Sequence, residues 1–174
     1  MILKIRSKTT LLTLGLLLLA GCGFHLRGIV NLPSQLQTLY LQSASPYSEL
    51  TRQIRTSLKF SNAKLVSSAD QAPVTLHIFD EKFSSSQTSV ASTNQTRSYT
   101  ATYSMQYNIT SASGKVLMQT RTISSTQNVT AQPNEVLENT NKLDIAKQNL
   151  LRNLVSKLLF QLASKNTIAA LKKI

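Results

Sequence analysis

Tyr99-Thr100-Ala101-Thr102-Tyr103-Ser104-Met105-Gln106-Tyr107-Asn108-Ile109-Thr110 alternates apolar side chains with hydroxyl- or amide-bearing ones without a break. Successive side chains of a strand point to opposite faces, so this pattern turns Tyr103, Met105, Tyr107 and Ile109 toward a core and their neighbours toward water. Ser113-Gly114-Lys115 then reads as a tight turn, and Val116 to Val129 as a partner strand of similar length. The pair is a long antiparallel hairpin.

Working outward, Pro73 opens a further strand, Val74 to Lys82, in which Val74, Leu76 and Ile78 alternate against Thr75 and His77. From Ser84 to Ser98 nearly every residue is Ser, Thr, Gln or Asn, broken by Val90, Ala91 and Arg97. Such a segment has too little apolar area to order itself alone. It is either a mobile loop or an extension of two strands wetted on both faces. Upstream, Gln37 to Gln42 reads as a short strand with Leu39 and Leu41 on one face. Ser45-Pro46 reads as a helix start, Ser at the N-cap and Pro at the first position. Tyr47, Leu50, Ile54 and Leu58 then form one apolar stripe, and the helix ends near Ser61-Asn62. Downstream, Pro133-Asn134 starts a last helix whose stripe includes Leu143, Leu150, Leu154, Leu158 and Leu162, and the tail from Ser164 is expected to fray. The predicted order is β-α-β-β-β-α: an α+β fold with two helices packed on one face of a four-stranded, mostly antiparallel sheet.

At the other end of the chain, Lys4, Arg6 and Lys8 precede an apolar run from Leu11 to Ala20. That run is half the ~20 residues a transmembrane helix needs, and it matches the core of a secretory signal. Leu19-Ala20-Gly21-Cys22 has the small residues a lipoprotein-processing peptidase requires before the cysteine. Residues 1–21 are therefore read as a lipoprotein signal peptide, 22–36 as a lipidated anchor segment, 37–163 as one α+β domain and 164–174 as a C-terminal tail. Cys22 is the sole cysteine, so no internal disulfide forms, and acylation removes what would be a free exported thiol. Gly23 stands where an Asp commonly retains lipoproteins in the inner membrane, which points to the outer membrane.

The formal charge is +12. With the three N-terminal cations set aside, 16 basic residues face 7 acidic ones. Such an excess favours anionic partners, and the export signal sets nucleic acid aside. Chemistry is scarce: there is no HExxH, cysteine pair, nucleophile elbow, P-loop or dinucleotide fingerprint. His77 reads as a half-exposed strand residue, and Asp80-Glu81, as strand neighbours, point to opposite faces. No catalytic residue, metal or cofactor is expected, and an envelope-polymer hydrolase would lack a nucleophile-base pair.

Cys22-Gly23-Phe24-His25-Leu26-Arg27-Gly28, the Leu32-Pro33 turn and the helix pattern Ser48-Glu49-Leu50-Thr51-Arg52-Gln53-Ile54-Arg55 resemble the LPS-assembly lipoprotein LptE (RlpB) family. The resemblance implies a two-helix, four-stranded domain that carries S-diacylglycerol and N-acyl groups on Cys22. It implies a plug, one to one, inside the outer-membrane β-barrel LptD, assisting the barrel's assembly and the insertion of lipopolysaccharide into the outer leaflet. It further implies contacts to lipopolysaccharide through basic residues near the middle hairpin and the start of the last helix. Here these are Arg97 and Lys142, with Arg121 and Lys115 on the hairpin as further candidates. The competing reading is a stand-alone outer-membrane lipoprotein that binds another anionic envelope ligand.

Overall fold

The chain builds β1 (Thr38–Ser43), α1 (Glu49–Phe60), β2 (Lys64–Val66), β3 (Val74–Val90), β4 (Arg97–Ser111), β5 (Val116–Ala131), α2 (Val136–Leu162) and α3 (Lys165–Leu171). These elements come from a computed structural model that describes residues 30–90, 97–131 and 136–172. The anchor segment as far as Ile29, with Cys22, and the expected helix start at Pro133-Asn134 lie outside the described residues.

One sheet runs in the order β2-β1-β3-β4-β5. β1 is parallel to both its neighbours, while β3, β4 and β5 form an antiparallel meander. The α+β class and the mostly antiparallel sheet agree with the sequence reading. The strand count does not: β2 adds a fifth strand. Lys64-Leu65-Val66 is too short to show an alternation, and its order comes from pairing with the edge of β1. The Lys64 amide, donating to the Gln37 carbonyl at 2.7 Å, begins that pairing.

α1 starts later than Ser45-Pro46. Residues Ser45–Ser48 instead close a turn, the Ser48 amide donating to the Ser45 carbonyl at 3.1 Å, as Pro at the second turn position favours. Ser48 is the N-cap, its hydroxyl accepting from the Thr51 amide at 3.1 Å. Tyr47 consequently falls off the apolar stripe and is 100% exposed. Leu50, Ile54 and Leu58 hold that stripe as expected. The helix ends at Phe60 with Ser61 as its C-cap, and Asn62 just beyond it takes φ 61°, a left-handed position that Asn tolerates.

The core is a single cluster. Leu39, Leu76, Met105 and Ile109 from the sheet meet Leu50, Ile54 and Leu58 of α1 and Leu150, Leu154 and Leu158 of α2, all fully buried. Tyr107 is buried among them, and its hydroxyl donates to Gln161 Oε1 at 2.6 Å, so the polar end is satisfied. α2, ~40 Å long at 1.5 Å per residue, packs along β5 and β4.

The C-terminal tail is a helix where fraying was expected. Ser164 caps α3 by accepting from the Thr167 amide at 3.3 Å, and the Thr167 hydroxyl donates to the Gln161 carbonyl at 2.6 Å. Leu171 closes the core at that end and is buried with Thr167. Of the two alternatives for 84–98, the strand extension holds wherever residues are described: Ser84 pairs with Thr102, Ser86 with Thr100 and Val90 with Arg97.

Candidate functional site

Alternation gives the sheet two unlike faces. The inner one is covered by the helices. On the outer one β4 presents Thr100, Thr102, Ser104, Gln106, Asn108 and Thr110, which pair laterally with β5 residues such as Thr122, Ser124, Thr126 and Asn128. Side chains bridge the strands there: Thr100 donates to Asn128 Oδ1 at 3.1 Å, and His77 Nε2 lies 2.9 Å from Thr110 Oγ1. Burial lowers the His77 pKa, so its neutral ring is favoured. This reading of His77 as a half-buried strand residue stands. Among the described residues no group of three or more His, Cys, Asp or Glu side chains could hold a metal ion.

A bulge divides β3. Phe79 pairs with Gln106 and Lys82 with Ser104, so Asp80 and Glu81 together oppose Met105. Asp80 sits at φ 52°, the left-handed conformation that the first residue of a G1-type bulge adopts. The extra residue resets the alternation. Lys82 and Ser84 go to the outer face, while Phe83 goes to the inner one opposite Tyr103. Asp80 and Glu81 do diverge: Asp80 accepts from Gln106 Nε2 at 2.9 Å on the outer side, and Glu81 accepts from the buried Tyr103 hydroxyl. Burial, then the hydrogen bond and charge of Glu81, push the Tyr103 pKa upward. The Phe83 and Tyr103 rings lie 5.8 Å apart, and Lys147 of α2 stands 5.5 Å over the Phe83 ring. The sequence gives no sign of this cluster, because it exists only once the bulge has re-phased β3.

The four candidate basic residues are spread along the hairpin: Arg97 and Lys142 toward one end, Lys115 at the other, and Arg121 about a third of the way along β5. Arg97 is the first residue of β4 and pairs with Ala131, the last of β5. Lys142, half-buried, lies six residues into α2, ~9 Å along the helix that follows β5. Lys115 is exposed in the turn between β4 and β5. Arg121 is exposed on β5 opposite Tyr107, where burial raises the phenol's pKa and the Arg121 charge opposes that rise. At 3.3 Å per residue Lys115 lies ~50 Å and Arg121 ~33 Å along β5 from its Ala131 end, where Arg97 pairs. One ligand headgroup does not bridge them, so the four do not form a single site.

The LptE family model, described as lipopolysaccharide-assembly, matches residues 36–162 of this chain. The chain belongs to the LptE family. An LPS-assembly lipoprotein LptE from Pectobacterium atrosepticum is 48% identical over 69 residues, which are 40% of this chain and 38% of that one. The match thus spans well under half of this curated relative. The fold also has solved counterparts. A lipoprotein B from Nitrosomonas europaea superposes with a TM-score of 0.69 at 18% identity, covering 87% of this chain and 96% of the other. The rare lipoprotein B of Shewanella oneidensis gives 0.66 at 21% identity, covering 76% and 98%. Among the described residues of this LptE-family chain no helix is long and apolar enough to cross a membrane.

Proposed function

We propose that this chain is an outer-membrane lipoprotein, acylated on Cys22, that plugs the lumen of an LptD β-barrel, assists its assembly and helps deliver lipopolysaccharide to the outer leaflet. The observation that carries this reading is the outer face of the sheet. It is long and rich in Ser, Thr, Asn and Gln, and the ions on its β3 side are confined to Asp80 and Lys82 at the bulge. A water-filled barrel lumen is lined by polar side chains, and a neutral hydrogen-bonding surface enters it at lower desolvation cost than a charged one. Family membership supports the choice of partner and cargo.

Arg97 and Lys142 are the proposed lipopolysaccharide contacts, since they share one end of the molecule and phosphates attract charge-assisted bonds from Arg and Lys. Lys115 in the far turn and Arg121, ~33 Å along β5 from Ala131, serve as the internal comparison. The experiment is affinity purification of the tagged, lipidated protein from outer membranes, with lipopolysaccharide binding measured on the same material. A large β-barrel should co-purify in about equal amount. Arg97→Glu with Lys142→Glu should weaken lipopolysaccharide binding severalfold and leave the barrel complex intact, whereas Lys115→Glu with Arg121→Glu should change neither. Recovery without any barrel, and with ligand binding unimpaired, would favour the stand-alone binder instead.

A further inference from the structure

An open cleft of about 680 Å³ lies between the C-terminal half of α1 and the C-terminal half of α2, lined by Ser57, Phe60, Asn153, Ser156 and Phe160 together with Ser125 of β5 and Val30. A smaller hollow of about 360 Å³ continues it along the helices, sharing Ser57 and Phe60 and reaching Arg52 and Arg152. Phe60 is 72% exposed and Phe160 52% exposed. Two large rings facing one groove in water are a cost that burial would remove.

We propose that this groove is the seat of the chain's own segment Phe24–Ile29. Three observations favour that occupant. First, Val30, where the described chain begins, already lines the cleft. Second, the preceding sequence does not have the composition of a plain tether. Such tethers are rich in Gly, Ser and other polar residues, yet Gly23-Phe24-His25-Leu26-Arg27-Gly28-Ile29 holds Phe24, Leu26 and Ile29 and no Ser, Thr, Asn, Asp or Glu. Phe24 and Leu26 alternate with His25 and Arg27, so in extended form the apolar pair shares one side and the cations the other. Third, the reach is right. At ~3.3–3.6 Å per residue, Leu26 lies within ~14 Å of Val30 and Phe24 within ~21 Å, while Asn153 to Phe160 spans only ~10 Å of α2. The segment is apolar in sequence and the groove presents two exposed rings, and the chain joins one to the other.

Docked in this way, the segment acts as a mount. The slack between Cys22 and the domain shrinks to one or two residues, and the helical side, not the polar sheet face, is held toward the anchor. The inference needs neither barrel nor lipopolysaccharide, so its test is independent of the proposed function.

The test places the photo-crosslinker p-benzoylphenylalanine at Phe60 or Phe160 in the full-length protein, in its own membranes, and maps adducts by mass spectrometry. Most adducts should fall on residues 24–29 of the same chain. The same probe at Ile145, exposed on α2 but ~22 Å along the helix from Phe160, should yield at least tenfold fewer. Leu26→Ser should lower the Phe160 adduct at least tenfold, and Phe24→Ser should lower the one or both. The core within residues 30–172 does not include these side chains, so a normal melting temperature should accompany the loss. Equal yields from Ile145, or adducts to lipid, to an isotope-labelled second copy or to a barrel protein in place of the segment, would each overturn the inference.

Discussion

Deleting Asp80 tests whether one residue sets the phase of the longest strand. Without it, β3 has two choices. Phe83 and Ser85 can turn outward and Lys82 inward, or the segment Val74–Phe79 can slide by one residue and turn Leu76 and Ile78 into water. The first choice is the cheaper. Phe83 is 36% exposed, so about two-thirds of a full Phe burial is lost, ~1–2 kcal/mol. The tilted pair with Tyr103 adds ~0.5–1.5 kcal/mol and the Lys147 contact ~0.5–1 kcal/mol. The Tyr103 hydroxyl also loses Glu81, a charge-assisted bond worth ~1.5 kcal/mol net. These terms overlap, so ~3–5 kcal/mol is the expected loss, a fall of roughly 10 °C in melting temperature for a domain of this size. Asp80→Gly is the matched control. It keeps the extra residue and relieves the left-handed backbone, so it should be neutral or stabilising by up to ~1 kcal/mol. Urea and thermal unfolding followed by circular dichroism read both variants. A deletion that shifts the midpoint no more than Asp80→Gly does would refute the claim that the bulge positions the Glu81–Tyr103–Phe83–Lys147 cluster.

Other consequences can be measured on the same domain. Ending the chain at Ser164 removes α3 and with it the buried Leu171 and Thr167, and should cost ~2–3 kcal/mol in urea unfolding; an unchanged midpoint would mean the segment is a frayed tail after all. His77 has its pKa lowered by burial, so the unfolded chain takes up the proton first. Its contribution is complete above ~6.5 and is lost as pH falls from there through the folded-state value. Because the half-buried ring is still partly screened by water the loss should stay well under ~1 kcal/mol, and His77→Gln should flatten that part of the pH–stability curve. Thr126→Lys places a charge on the exposed outer face and should move domain stability by no more than ~0.5 kcal/mol, yet co-purification with a barrel should drop at least tenfold. Retention of the barrel would remove that face from the contact.

Period-two alternation made the inner face of β4 readable residue by residue, since a half-buried strand records burial directly in its sequence. The apolar stripes of α1 and α2 were readable for the same reason at helical spacing. Features whose cause lies elsewhere in the molecule were not. β2 is ordered by the edge of β1, and three residues cannot display a period. The start of α1 moved from Ser45 to Ser48 because Pro46 serves a turn as well as it serves a first helical position. Asp80 takes the left-handed region because β4 opposes two residues with one, and nothing in Phe79-Asp80-Glu81-Lys82 announces that partner. α3 looked like a tail until its Ser164 cap and the space for Leu171 were both in place. The candidate cations were individually visible, but their grouping was not. That Arg97 and Lys142 share an end, with Lys115 opposite and Arg121 between, follows from how β5 runs the length of the sheet and α2 comes back along it.

The distribution of charge then separates the tasks of the molecule. The inner face is dry and has its stability from apolar packing, so it has little freedom to change. The outer face carries hydroxyls and amides that exchange water for a partner's polar groups at small net cost, because each hydrogen bond lost is replaced by one gained. Fixed cations in the middle of that face would have to be desolvated on docking, at a cost no partner geometry easily repays. Arg97 and Lys115 stand at the two ends of the hairpin and Lys142 on α2, while Arg121 on β5 and Lys82 on the outer side of β3 are the cations between those ends. A sheet so arranged can sit against a polar wall along its length while its ends stay free to meet anions. Under the proposed function, contact with a barrel and contact with lipopolysaccharide belong to different surfaces, so variants of the face and variants of the ends should fail in different assays.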